Sequence, residues 1–257
     1  MELYLPTPNK LSRNYTPEER DSEDFRRVVA AMGISRGAYR NWEYPAILAA
    51  IGDPLGKRIL SIGAYQCAIS LYLSHFADEL VAVDRVACEA LIHWGETQAY
   101  GWGSQTEFRC CDAGGSQAPV YPDDLPEGPF DIIISAGAIE HNDGDGDMQV
   151  ARNIGRLLAP DGIAAITTEW CLEHYYDEDF VGGWVYDLSA ILTRIVKPSG
   201  LQLWYDPANP GRAFEIRSVS WKRCIEDFPA MSRAMTTFCP VLVVLEHRKE
   251  KEAKIPQ

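Results

Sequence analysis

No segment of this 257-residue chain holds the roughly 18 uninterrupted apolar residues of a membrane span. The first fifteen residues, MELYLPTPNKLSRNY, also lack the basic stretch and apolar core of a secretory leader. A cytoplasmic protein with no membrane partner is therefore expected. Excess positive charge is missing too: 24 Lys and Arg stand against 37 Asp and Glu, a formal net charge of −13. That balance disfavours a broad nucleic-acid footprint, which needs clustered cations against phosphates. The one dense basic segment, EHRKEKEAK (246–254), is mixed in sign and reads as a solvated tail. Seven cysteines are present, none in a CxxC pair, and the odd, scattered set argues against zinc or a disulfide framework. Most read as buried small apolar residues. NDGDGD (142–147) tempts a calcium reading, yet Met148 and Ile154 stand where the loop needs Gly and Glu. It reads as an acidic turn, and no metal is expected.

What is present is an alternation of apolar runs and amphipathic segments. Residues 1–16 read as an irregular arm, and 16–33 as a helix with Thr16 as N-cap and Pro17 at its first position. A second helix is expected over 41–52. Strands are then expected at 58–63, 79–84, 106–112, 130–135 and 162–170, with helices at 67–76, 87–101 and 148–160 between them. Five near-continuous apolar strands separated by helices imply a parallel sheet covered on both faces. A helix over 188–200 precedes two late strands, 201–206 and 241–248, which fit an antiparallel hairpin at the sheet edge. The chain is thus read as one α/β domain over 1–257. Residues 1–52 form an arm and cap helices, 56–170 a cofactor-binding core, and 171–257 a substrate-side loop with the C-terminal strands.

In such a doubly wound sheet, ligands bind beyond the carboxyl ends of the strands, where the strand order reverses. RILSIGAYQCAIS (58–70) has the strand, glycine turn and helix of a cofactor corner, but Tyr65 and Cys67 stand where further glycines are usual. Asp84, ending LVAVD 21 residues after Gly63, can accept both hydroxyl protons of a ribose. It can equally cap the following helix. Asp112, ahead of Ala113 and two glycines, can accept an adenine amino group or serve as a turn residue. A nicotinamide dinucleotide wants glycines two and five residues after the first, and Tyr65 and Ala68 occupy those places.

RILSIGAYQCAISLYLS, LVAVD, FRCCDAGG, FDIIISAGAIEH and RNIGRLLAPDGIAAITT occur here in that order. Together they resemble the class I S-adenosylmethionine-dependent methyltransferases over about residues 56–170. The resemblance implies a seven-stranded, mostly parallel sheet with S-adenosylmethionine across the first four strand ends and the acceptor above strands four and five. It points to Gly63, Ala64, Tyr65, Asp84, Arg85, Asp112, Ala113 and Ser135 as cofactor contacts. Two departures stand out: Ser61 where the family commonly has an acid, and Tyr65 with Cys67 where it has glycines. Glu43, in the N-terminal helix, is the candidate replacement for the missing acid.

Methyl transfer needs an acceptor aligned with the donor, and an O- or N-acceptor also calls on a base near neutrality. His141, in the Glu140-His141 pair after strand four, is the first candidate base and His174 the second. Trp170, Tyr175, Tyr176 and Trp184 crowd the 167–187 segment, and with Glu140 they are the candidate acceptor contacts. Aromatic walls with a few polar groups describe a small-molecule pocket; covering a sheet edge or a subunit contact is the competing role. The expected function is methyl transfer to a small-molecule acceptor. The alternative is the same fold without methyl transfer, as a cyclase, isomerase or noncatalytic partner. Oligomeric state is left open, a homodimer among the possibilities.

Overall fold

Ile59, Leu60, Val81, Val83, Ile133 and Ile134 are fully buried, and this demand on both faces of the central strands sets the architecture. The computed structural model describes residues 40–98, 100–111, 125–170, 175–177, 183–204, 214–216 and 239–247. The strands are β1 (Arg58–Ile62), β2 (Glu79–Asp84), β3 (Thr106–Cys110), β4 (Phe130–Ala136) and β5 (Leu158–Trp170). They are followed by β6 (Tyr175–Asp177), β7 (Gly183–Val185), β8 (Gln202–Leu203), β9 (Phe214–Ile216) and β10 (Cys239–Glu246). The main sheet runs β3-β2-β1-β4-β5-β10-β8, with β9 also paired to β10. β1 to β5 are mutually parallel and β10 is antiparallel to β5, so the expected mixed sheet with an antiparallel edge is present.

Alternation along each strand divides the core into two layers. Ile59, Leu80, Ala82, Ile132, Ile134, Ala165 and Val244 face helices α1 (Arg40–Ile51), α2 (Ala68–Leu73) and α3 (Cys88–Glu96). Leu60, Val81, Val83, Ile133, Ile166 and Val243 face α4 (Gly146–Leu157) and the last helix. That helix, α5, opens as α (Leu188–Ala190), widens to a π segment (Ile191–Val196) and closes as α (Lys197–Ser199). The widening sits just before Pro198, which has no N–H and crowds the carbonyl four residues back. Gly200 ends it at φ +69°.

Several boundaries differ from expectation. α4 stops at Leu157 rather than 160, because Pro160 disfavours helix at the residue before it. β5 starts at once, and its register slips between Phe130 and Ile132. The 171–187 segment, expected as a long loop, contains an antiparallel pair, Tyr175↔Val185 to Asp177↔Gly183. The strand expected over 201–206 is reduced to β8, and β9 continues along the same edge: Glu246↔Gln202 and Leu245↔Leu203 give way to Val243↔Phe214. The helix expected over 16–33 lies outside the described residues, as do Asp112, Ala113 and His174. Among the described residues no helix is long and apolar enough to cross a membrane.

Candidate active site

The corner between β1 and α2 is held by backbone hydrogen bonds to β2. Gly63 adopts φ +77°, a left-handed conformation open to glycine, and a Cβ there would lie 2.2 Å from Ala138 Cβ. The amides of Gly63 and Ala64 both donate to the Val83 carbonyl, at 2.9 and 3.1 Å. The Tyr65 amide donates to Asp84 Oδ2 at 2.9 Å and the Val86 amide to Oδ1 at 3.1 Å. Gln66 continues the turn at φ +56°, and Cys67 precedes α2 as its cap.

Beside this corner a cleft of about 450 Å³ runs along the carboxyl ends of β1, β2 and β4. Gly63, Tyr65 and Gln66 line it from the first turn, Asp84, Arg85 and Val86 from the second strand end, and Cys111 from just beyond β3. Gly137, Ala138, His141 and Asn142 form the opposite wall. The cleft thus sits at the reversal of strand order between β1 and β4. Of the residues singled out from sequence, Gly63, Tyr65, Asp84, Arg85 and His141 meet here. Tyr65 is 39% exposed; its amide is pinned to Asp84 while the residue lines the cleft.

No protein-family model and no curated protein matches the sequence. Solved structures do resemble this one. The 4+2 cyclase SpnF superposes with a TM-score of 0.60 at 13% identity, covering 80% of this chain and 81% of its own. The 1,6-didemethyltoxoflavin N1-methyltransferase of Burkholderia thailandensis, solved with 1,6-didemethyltoxoflavin and S-adenosylhomocysteine, gives 0.55 at 14% identity over 92% of both chains. An S-adenosylmethionine-dependent methyltransferase of Mesorhizobium loti gives 0.54 at 16%, covering 81% of this chain and 98% of that one. This is the class I methyltransferase fold.

Within that fold, Ala64, Ser135, Glu43, Glu140 and Trp184 are not among the residues lining the cleft. Ala64 is fully buried and packs in the core layer under α1 and α2. Ser135 is fully buried on β4, on the layer that faces α4 and α5; its hydroxyl, with those of Thr167 and Thr168, has no hydrogen-bond partner among the described residues. Glu43 is also fully buried, on a helix that packs over β4, β5 and β10, and it is not among the lining residues. Glu140 is turned into the interior, with its Oε1 4.0 Å from His141 Nε2 and its side chain 2% exposed against 40% for the histidine. Trp184 is half-buried and donates from Nε1 to the Asn142 carbonyl at 3.0 Å, so it braces the far side of the cleft wall. The side chains of Trp170, Tyr175 and Tyr176 lie outside the described residues.

Four features of this methyltransferase-fold site went wholly or partly unread in the sequence. Gly137 and Ala138 line the cleft, and the glycine after FDIIISA was the available signal. Cys111, expected to serve core packing, is buried and also lines the cleft. Ser61, at the position of the family's acid, is spent on structure: its Oγ lies 2.6 Å from Ser70 Oγ in the buried seam between β1 and α2. Behind His141, Asp147 is fully buried and receives Tyr186 Oη at 3.0 Å and a two-pronged bond from Arg194 at 2.7 and 2.8 Å. Burial, then the charges of Asp147 and Glu140, push the Tyr186 phenol well above its ordinary range. Among the described residues no cluster of His, Cys, Asp and Glu is placed to hold a metal.

Proposed function

We propose that the cleft binds S-adenosylmethionine and that the protein transfers its methyl group to an oxygen or nitrogen of a small-molecule acceptor. The observation that carries this reading is Asp84. Its carboxylate stands at the end of β2, in the cleft wall, beside a glycine corner that brings backbone close to a ligand. Each of its oxygens accepts one amide and keeps a second lone pair, which suits the two hydroxyls of a ribose. A cleft of about 450 Å³ falls within the range of small-molecule sites. Gly63, Tyr65, Arg85 and Cys111 wall the donor, Asp112 and Ala113 being the expected adenine contacts. The likeness to methyltransferases solved with S-adenosylhomocysteine supports the same ligand.

When bound, the donor supplies an electrophilic methyl on a sulfonium; the chain supplies position and proton handling. His141, exposed on the opposite wall, takes the proton released from an acceptor hydroxyl or ammonium. Buried Glu140 lies beside it, with its Oε1 4.0 Å from His141 Nε2. His174, Trp170, Tyr175 and Tyr176 remain proposed acceptor-side residues. The test is incubation with methyl-labelled S-adenosylmethionine and a panel of amine- and hydroxyl-bearing metabolites. Label in a product, lost in His141→Gln, supports the reading.

The likeness to a 4+2 cyclase, with Tyr65 and Cys67 where further glycines are usual, supports a second reading. In it the fold binds the cofactor yet does other chemistry or none. Tight binding of S-adenosylmethionine without label transfer to any panel member selects that alternative.

A further inference from the structure

The cleft wall formed by His141 and Asn142 rests on very little chain of its own. It is a three-residue 3-10 turn, Ile139–His141, followed by the glycine-rich segment 142–146. Within it Asn142 Nδ2 donates to the carbonyls of Ala138 and Ile139 at 3.2 and 2.9 Å. A turn this short is poorly ordered by local bonds alone. Its order comes from behind.

Three side chains from the 183–199 region converge on that rear surface. Trp184 donates to the Asn142 carbonyl. Arg194 reaches in from the π segment of α5: Nη2 donates to the Gly144 carbonyl at 2.5 Å and to Asp145 Oδ1 at 3.3 Å. The same guanidinium grips both oxygens of buried Asp147, and it lies 5.2 Å from the Trp184 ring centroid. Tyr186 Oη also donates to Asp147 Oδ2, and the Met148 amide donates to Oδ1 at 2.7 Å. One cation thus ties α5, the β6–β7 hairpin and the entrance of α4 together. A Cβ at Gly183 would stand 2.5 Å from the Glu140 carbonyl oxygen and 3.1 Å from His141 Nδ1, so the hairpin lies directly against the histidine turn.

Asp147 is fully buried while Arg194 keeps 19% of its side chain exposed. Burying a carboxylate costs desolvation that its partner repays poorly as stability, and the best-attested use of such a pair is to fix one arrangement among alternatives. We propose that Arg194 is a positioning residue for the cleft: through Asp147, Gly144 and Trp184 it holds the His141–Asn142 wall against the β6–β7 hairpin, and so sets where the His141 imidazole stands. A flat guanidinium fork serves this site best, because a lysine keeps the charge but offers no pair of parallel donors for the two Asp147 oxygens. Its relevance to catalysis rests on the donor-site reading above; the placement of His141 does not.

The experiment is side-chain histidine NMR on the whole chain, with the His141 signal assigned by its loss in His141→Gln. In Arg194→Met, His141 resonances are expected to shift and broaden. Arg194→Lys should restore them in part, and S-adenosylhomocysteine should bind at least fivefold more weakly to Arg194→Met. Unmoved His141 resonances in a cooperatively folded Arg194→Met protein would overturn the proposal, whatever its melting temperature. If that variant does not fold, Gly183→Ala decides: it leaves the ion pair intact and presses the hairpin on the turn, and unchanged His141 resonances there overturn it equally. A wild-type protein that binds no S-adenosylhomocysteine defeats the donor-site reading and leaves the NMR outcome to judge Arg194.

Discussion

At the scale of single residues, Ser61 shows how a departure from a family pattern becomes a structural commitment. Its hydroxyl and that of Ser70 satisfy one another in a seam that excludes solvent. Removing either one strands the other, so Ser61→Ala or Ser70→Ala should each cost about 1–3 kcal/mol in urea unfolding. The double variant leaves no orphan and should lie within about 1 kcal/mol of the milder single variant; strictly additive losses would contradict the pairing. An acid at Ser61 would be buried against that seam. The departure was visible in the sequence, but its partner was not, because the pairing depends on how α2 crosses β1. The same limit hid Arg194 from Asp147: 47 residues separate them, and no local pattern links an arginine in the last helix to an acid in the first turn of α4. Asp84 was readable because β2 is the neighbour of β1 by topology, and the strand end fixes the side chain's place.

At the scale of elements, the first corner carries the strictest steric demand. A side chain at Gly63 meets both an unfavourable φ and the Cβ of Ala138 on the opposite wall. Gly63→Ala should therefore destabilise the fold by at least about 1–3 kcal/mol. It should also weaken S-adenosylhomocysteine binding, since any relief moves the two walls apart; a variant with unchanged melting temperature and affinity would contradict the geometry. Periodicity placed β1, β2 and β4 well, since each is a continuous apolar run buried on both faces; β3 is half-buried or exposed along its length. Periodicity failed in the 171–187 segment, where Tyr175–Asp177 and Gly183–Val185 pair at the margin of the fold. Each of these strands is only three residues long, too short for a period of two to show in the sequence. The sequence pattern also placed the start of β5 late, because Pro160, Asp161 and Gly162 read as a turn while the chain already runs beside Phe130.

For the whole molecule, acid-base balance and ligand binding report on the same region. The Tyr186 phenol is raised by burial, then by Asp147 and Glu140, with Arg194 alone pulling it down. The folded state therefore holds its proton above the ordinary value of 10.0, where the unfolded chain releases it. Fewer protons bind the unfolded state in that window, so stability should fall as pH rises beyond about 10. Tyr186→Phe should flatten that decline in urea midpoints measured between about pH 9 and 11, which brackets the ordinary tyrosine range; an identical slope would contradict the buried phenol.

The cleft itself is the central claim, and calorimetric titration with S-adenosylhomocysteine tests it most directly. The wild-type chain should bind at one saturable site. Asp84→Ala, losing acceptors for two ribose hydroxyls, should weaken binding by about 10- to 100-fold, on the order of 1.4–2.7 kcal/mol. Asp84→Asn, which keeps one acceptor oxygen, should lose less. No heat of binding to the wild type, or equal affinity in Asp84→Ala, would contradict the assignment of this cleft to a methyl donor.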